Sequence, residues 1–68
     1  MKVIMDKAVE IINNFDGVEE IEIWKSKDGN FYLMIYFSVN EQTKEAKVKL
    51  FKYDADKGQF EFCKEKNW

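Results

Sequence analysis

Hydrophobic and polar positions along the first fifteen residues follow a helical period. Five apolar residues repeat at the i, i+4, i+7, i+8 and i+11 spacing of one helix face: Ile4, Ala8, Ile11, Ile12 and Phe15. The opposite side carries charged and amide side chains, which remain in water. The segment from Lys2 to Phe15 therefore predicts an amphipathic helix, and Gly17 supplies a left-handed residue that ends it.

From Val18 onward the period changes to two, which predicts two β-strands on either side of a short loop. The length of that loop decides the pairing of the strands. A two-residue turn at Asp28-Gly29 pairs Ile23 with Met34, whereas a three-residue loop from Lys27 to Gly29 pairs Ile23 with Leu33. We favour the three-residue loop because it collects the aliphatic side chains on one face of the hairpin.

In that register the side chains of the first hairpin separate into two groups. One face carries Ile21, Ile23, Phe31, Leu33, Ile35 and Phe37. The other carries Glu22, Trp24, Tyr32, Met34 and Tyr36. The first group is predicted to form the core, and the second lies on the opposite side of the sheet.

Two further strands are predicted in the second half of the chain, from Ala46 to Tyr53 and from Gln59 to about Glu65, after a polar connection over residues 40–45. A four-residue loop with a left-handed Gly58 closes the second hairpin on Asp54 and Gln59. Four cross-strand pairs follow: Tyr53 with Phe60, Phe51 with Phe62, Lys52 with Glu61, and Leu50 with Cys63.

The eight residues from Tyr53 to Phe60 resemble the second hairpin of the immunoglobulin-binding domains of protein G, in which a Tyr and a Phe flank a similar loop. The resemblance covers only this turn. It implies the geometry of the loop and no binding activity.

One helix followed by four short strands predicts an α+β fold of a single small domain, residues 1–68, with the N-terminal helix on one face of a four-stranded antiparallel meander (αββββ). The pattern leaves the phase of the last two strands open. Either Phe51, Tyr53, Phe60 and Phe62 lie beneath the helix with Val48, Leu50 and Cys63 opposite, or the reverse arrangement holds.

In both arrangements the face away from the helix keeps four residues that we predict to bind a partner: Trp24, Tyr32, Met34 and Tyr36. Trp, Tyr and Met are enriched at protein interfaces, and an apolar patch on a soluble domain is typical of an interaction surface. The alternative is structural, with these rings half-buried under long lysine stems and the C-terminal tail, which ends in Trp68.

Charge and composition narrow the chemistry. All eleven basic residues are lysine, and the chain has no arginine, histidine or proline. Arginine is the usual bidentate ligand of phosphate and histidine the commonest general base, so these tasks are disfavoured. A net charge of −2 opposes attraction to nucleic acid or anionic membranes. A single cysteine and the lack of a continuous apolar N-terminal run predict a cytoplasmic protein.

No catalytic, cofactor-binding or metal-binding residue is predicted. The Asp54-x-Asp56-x-Gly58 segment lacks the third oxygen ligand of a calcium loop, and a hairpin turn explains it. Cys63 has no histidine to activate it, so we expect a packed, inert thiol opposite Leu50. The acidic run of Glu19, Glu20 and Glu22 is expected to be a solvated strand start.

These observations favour a non-enzymatic protein-interaction module that forms a homodimer or docks on another protein. One alternative is a single-stranded nucleic-acid binder that stacks bases on Tyr32, Tyr36 and Tyr53. Another is an acidic inhibitor of a basic protein, which size and charge alone suggest. Neither nucleic acid nor a membrane is the expected partner.

Overall fold

The computed structural model describes residues 2–67. Its elements are a helix, α1 (Lys2–Ile12), and four strands: β1 (Val18–Lys25), β2 (Phe31–Asn40), β3 (Glu45–Asp54) and β4 (Gln59–Asn67). The strands form one sheet in the order β1-β2-β3-β4, and all neighbours are antiparallel. The predicted αββββ architecture is confirmed, while Trp68, whose packing the sequence left open, lies outside the described residues.

Helix α1 ends at Ile12, three residues before the predicted end at Phe15. The backbone N–H groups of Asn14 and Phe15 bond to carbonyl oxygens only three residues back, at 3.0 and 3.1 Å, so the chain tightens as it leaves the helix. Asn13 and Asn14 are poor helix formers, which explains the early end. Gly17 does have a positive φ of 76°, but it lies in the loop and not directly after the helix.

The first hairpin has the predicted three-residue loop. Ile23 pairs with Leu33, and Trp24 pairs with Tyr32. The loop closes where the Ser26 N–H donates to the carbonyl oxygen of Asn30 at 2.8 Å. This register determines which side chains lie on each face.

The second hairpin also follows the prediction at its loop. Tyr53 pairs with Phe60, and Gly58 has a φ of 66° and donates its N–H to the Asp54 carbonyl oxygen at 2.8 Å. The predicted pairing of Leu50 with Cys63 is wrong, because the register shifts between Phe51 and Leu50. Leu50 pairs instead with Lys64, since β4 contains one more residue than β3 at this point, as in a β-bulge.

The pairing of β2 with β3 resolves the open question of phase. Leu33 pairs with Phe51, which places Phe51, Tyr53 and Phe60 on the helix side of the sheet and Val48 and Leu50 on the other. The main core, between α1 and the sheet, consists of Ala8, Leu33, Ile35, Phe51 and Phe60, with Ile4, Ile11, Ile12, Phe15, Val18, Ile23, Phe37 and Tyr53 packed around them. Burial of each large side chain there contributes roughly 1.5–3 kcal/mol, so α1 is committed to this face.

The sheet is irregular at the start of β1 and near the end of β2. The register shifts between Val18 and Glu20, and again between Phe37 and Asn40, where Ser38 has a positive φ of 51°. The Glu19 carboxylate connects the two irregularities, because it accepts a hydrogen bond from the Val39 N–H at 2.9 Å. Bulges increase the local twist of a sheet, so this end of the sheet is bent away from a flat surface.

Candidate functional site

The face of the sheet opposite α1 carries three rows of side chains, and each row contains one residue from each strand. We call this surface the open face. Its rows are Trp24, Tyr32, Lys52 and Glu61; Glu22, Met34, Leu50 and Lys64; and Glu20, Tyr36, Val48 and Lys66. The four predicted partner-binding residues all belong to it, because alternate residues of a strand share a face.

Trp24 is the most prominent ring of the open face. It stacks on Tyr32, its neighbour across the β1–β2 pair, with ring centroids 4.6 Å apart and an interplanar angle of 20°. Its indole N–H donates to the sulfur of Met34 at 3.3 Å. The ring is nevertheless 39% exposed. Trp24 is thus fixed by two neighbours while a large part of its surface still faces solvent.

Tyr36 is fixed in a similar way on the third row. Its hydroxyl donates to a carboxylate oxygen of Glu22 at 3.1 Å and lies 3.9 Å from the Met34 sulfur. Burial raises the pKa of Tyr36 above its ordinary value of 10.0, and the hydrogen bond to Glu22 and the negative charges of Glu22 and Glu20 raise it further. The hydroxyl therefore remains a protonated donor throughout the neutral pH range.

Two apolar side chains of the open face are buried. Met34 is only 9% exposed and Val48 is fully buried, although both are on the side of the sheet away from α1. The four predicted residues therefore have different roles. Trp24 is exposed, Tyr32 and Tyr36 are half-buried, and Met34 supports the rings from below and presents little surface of its own.

The charges in the second and third rows of the open face are segregated. Glu20 and Glu22 lie on β1 at one edge, and Lys64 and Lys66 lie on β4 at the other edge, with aromatic and aliphatic side chains between them. All four charged residues are exposed. In its second and third rows the surface thus has an acidic edge, an apolar centre and a basic edge, an arrangement that sequence reasoning did not find because it depends on the bulge in β4. The first row departs from this pattern, since Lys52 lies on β3 and Glu61 on β4.

Other exposed apolar side chains lie outside the open face, and sequence reasoning missed them. Phe62, on the helix side, is 57% exposed and contacts Phe51 edge-on, with centroids 5.6 Å apart. The Lys49 ammonium lies 5.7 Å from the Phe62 ring. Within residues 2–67, the other exposed large hydrophobic side chains are Val3, Met5, Val9 and Ile21. The expectation that Ile21 belongs to the core is wrong, since it lies on the edge strand β1 and is 46% exposed. The apolar part of the α1 surface is wider than the part that contacts the sheet. This width in the sequence pattern could have indicated that Met5 and Val9 are exposed.

The three tyrosines predicted to stack bases do not share a surface. Tyr32 and Tyr36 lie on the open face, whereas Tyr53 packs against the helix-side core and meets Phe60 at 5.3 Å with an interplanar angle of 67°. A single nucleic-acid strand that stacks on Tyr32 and Tyr36 would therefore not reach Tyr53 without crossing the edge of the sheet.

The second hairpin and Cys63 contain the residues that were considered for metal binding or thiol reactivity. The Asp54 carboxylate accepts hydrogen bonds from the N–H groups of Asp56 and Lys57, at 2.9 and 3.3 Å, so it stabilises the hairpin turn. The expectation of a packed thiol is wrong, because Cys63 is exposed next to the bulge. Within residues 2–67, the His, Cys, Asp and Glu side chains form no group of three or more able to hold a metal ion.

Helix α1 has only 11 residues, and the described part of the chain contains no helix long and apolar enough to cross a membrane. The chain matches no known protein-family model, and no curated protein or solved structure is significantly similar to it.

Proposed function

We propose that this chain is a small, cytoplasmic, non-enzymatic module that binds a protein through its open face, either a second copy of itself or another chain. The observation that carries this proposal is the state of Trp24: 39% exposed, yet immobilised by the Tyr32 ring and the Met34 sulfur. The exposed free thiol of Cys63 is compatible with a reducing compartment.

An immobilised aromatic ring is favourable for binding. Fixing a flexible side chain at an interface costs roughly 0.5–1.5 kcal/mol, and a ring that is already fixed avoids most of that cost. Trp and Tyr side chains account for a large share of the residues that dominate interface energies. Trp24, Tyr32 and Tyr36 would therefore form the aromatic part of the contact, with charged residues of β1 and β4 beside it.

The test is affinity capture from an extract of the cells in which the protein occurs, with Trp24→Ala as the face variant and Phe62→Ala as the control. Both residues are exposed aromatics, but they lie on opposite faces of the sheet. We expect the bound protein, including any second copy of the chain, to be lost with Trp24→Ala and retained with Phe62→Ala. Equal binding by both variants, or no binding to any protein, would contradict the proposal.

A further inference from the structure

We infer that the protein that occupies the open face is a second copy of this chain, packed face to face about a two-fold axis that runs parallel to the strands. This inference rests on the proposed function, since it names the partner of the same surface. Its basis is the segregation of charge across the second and third rows, with Glu20 and Glu22 on β1 and Lys64 and Lys66 on β4.

Two copies can bring the same sheet face together about two kinds of in-plane axis. An axis perpendicular to the strands places β1 on β1 and β4 on β4 and reverses the order of the rows. Like charges then meet in the second row, where Glu22 and Lys64 each face the same residue of the partner subunit, although Glu61 faces Lys66 of the partner subunit. An axis parallel to the strands places β1 of one copy on β4 of the other, so that the acidic edge meets the basic edge at both ends of the interface. Like charges in contact are destabilising and opposite charges determine register, so the charge pattern selects the parallel axis.

The parallel axis also matches the residues of each row. In the second row, Glu22 faces Lys64 of the partner subunit, and Met34 faces Leu50 of the partner subunit. In the first row, Tyr32 faces Lys52 of the partner subunit, a pairing suited to a cation–π contact. Packed sheets are normally rotated by about 30° and lie about 10 Å apart, which side chains of this size fill. The open face is therefore complementary to itself in its second and third rows, while in the first row Trp24 faces Glu61 of the partner subunit.

The size of the face predicts a weak dimer. Four strands spaced about 4.8 Å apart and three rows of side chains cover on the order of 400 Å² per subunit. This footprint is smaller than the about 800 Å² per partner of a standard stable interface. We expect dissociation constants in the micromolar range or weaker, and a dimer that is more stable at low ionic strength because its rim charges are exposed.

The experiment is sedimentation equilibrium from about 1 μM to about 1 mM at low salt, with the charge reversals Glu22→Lys and Lys64→Glu made singly and together. Each reversal alters two symmetric contacts, so each single variant should weaken the dimer about tenfold. The double variant restores opposite charges and should recover most of that loss. Glu41→Lys and Lys27→Glu, in exposed loops, make the same charge changes away from the face and should leave association near the wild-type value.

Concentration-dependent NMR shifts of the wild-type protein provide a second measurement that needs no variant. They should fall on the three rows of the open face and spare α1. A protein that stays monomeric over the whole range, shifts confined to α1, or a double variant no better than the single ones would overturn the inference. In that case, Trp24-dependent capture of a different protein would still support the proposed function. If the chain neither dimerises nor captures another protein through Trp24, both the dimer and the proposed function are contradicted.

Discussion

At the scale of single residues, the β2–β3 and β3–β4 loops share a hydrogen-bonding pattern, but only one of them has a glycine at its left-handed position. The side chains of Asn40 and Asp54 each accept hydrogen bonds from the N–H groups two and three residues further on. Each loop then places its fourth residue in the left-handed region, Lys44 at φ 63° and Gly58 at φ 66°. A residue with a Cβ is strained there, so the loop that contains Lys44 is the less favourable of the two.

Substitutions at the left-handed positions of these two loops should change the free energy of unfolding in opposite directions. Lys44→Gly should raise the free energy of unfolding by about 0.5–1 kcal/mol, because relief of the strain exceeds the extra freedom of glycine in the unfolded chain. Gly58→Val should lower it by about 1–2 kcal/mol. Open space surrounds the Gly58 Cβ position, so that cost is purely conformational. Urea unfolding measures both, and a neutral Gly58→Val variant would disprove the assigned loop.

Tyr36 predicts a pH effect at the alkaline end. Its pKa is raised in the folded protein, first by burial and then by Glu22 and Glu20. The folded state therefore holds the phenolic proton more tightly than the unfolded state, and stability is fully present below the ordinary pKa of 10.0 and falls as pH rises through the folded value. Urea unfolding between about pH 9 and 11 should show a steeper decline for the wild type than for Tyr36→Phe. Parallel declines would contradict it.

At the scale of elements, the bulged ends of β1 and β2 depend on Glu19. Its carboxylate is the hydrogen-bond acceptor for the Val39 N–H, beside the left-handed Ser38. Glu19→Ala should therefore lower the free energy of unfolding by about 0.5–1.5 kcal/mol. Glu20→Ala, which removes the next carboxylate along the strand, is the matched control and should have a smaller effect. Equal losses would show that the Glu19 contact contributes nothing specific to the bulge.

The same elements show what the sequence could predict. Alternation determined the register of the first hairpin, because only one loop length collects Ile23 and Leu33 on one face. It could not locate the bulge before Lys64, since one extra residue leaves the surrounding pattern of polar and apolar letters almost unchanged. The predicted position of Cys63 was wrong for this reason, and the basic edge of the open face was not foreseen.

At the scale of the whole molecule, both faces of the sheet carry apolar side chains, but the helix side buries more of them than the open face does. The helix side has a core built on Leu33 and Ile35, while on the open face the buried side chains among the described residues are Met34 and Val48, next to rings that are themselves partly exposed. A domain of this size has a net stability of only about 3–5 kcal/mol. Trp24, Tyr32 and Met34 can therefore contribute both to the stability of the fold and to the free energy of binding. The larger of these two contributions determines whether the open face is a core layer or a binding surface.

Trp24→Ala separates the two contributions. A fully buried core aromatic costs roughly 3–5 kcal/mol when truncated. Trp24 is 39% exposed, so the variant loses chiefly its stacking on Tyr32 and should be destabilised by only about 1–2 kcal/mol. If Trp24 anchors the interface, the variant should weaken association by about 2 kcal/mol or more. Urea unfolding and sedimentation equilibrium measure these two quantities on the same protein.

Phe62→Ala is the control for this measurement, since Phe62 is 57% exposed and lies on the helix side of the sheet. It should also lower stability, through its lost edge-on contact with Phe51, but leave association unchanged. If Trp24→Ala costs as much stability as a core residue and association falls only in proportion to the unfolded fraction, the open face is a second core layer and not a binding surface. A loss of association in folded Trp24→Ala protein, absent from Phe62→Ala, would place the contact at Trp24 and the Tyr32 and Met34 side chains that it touches.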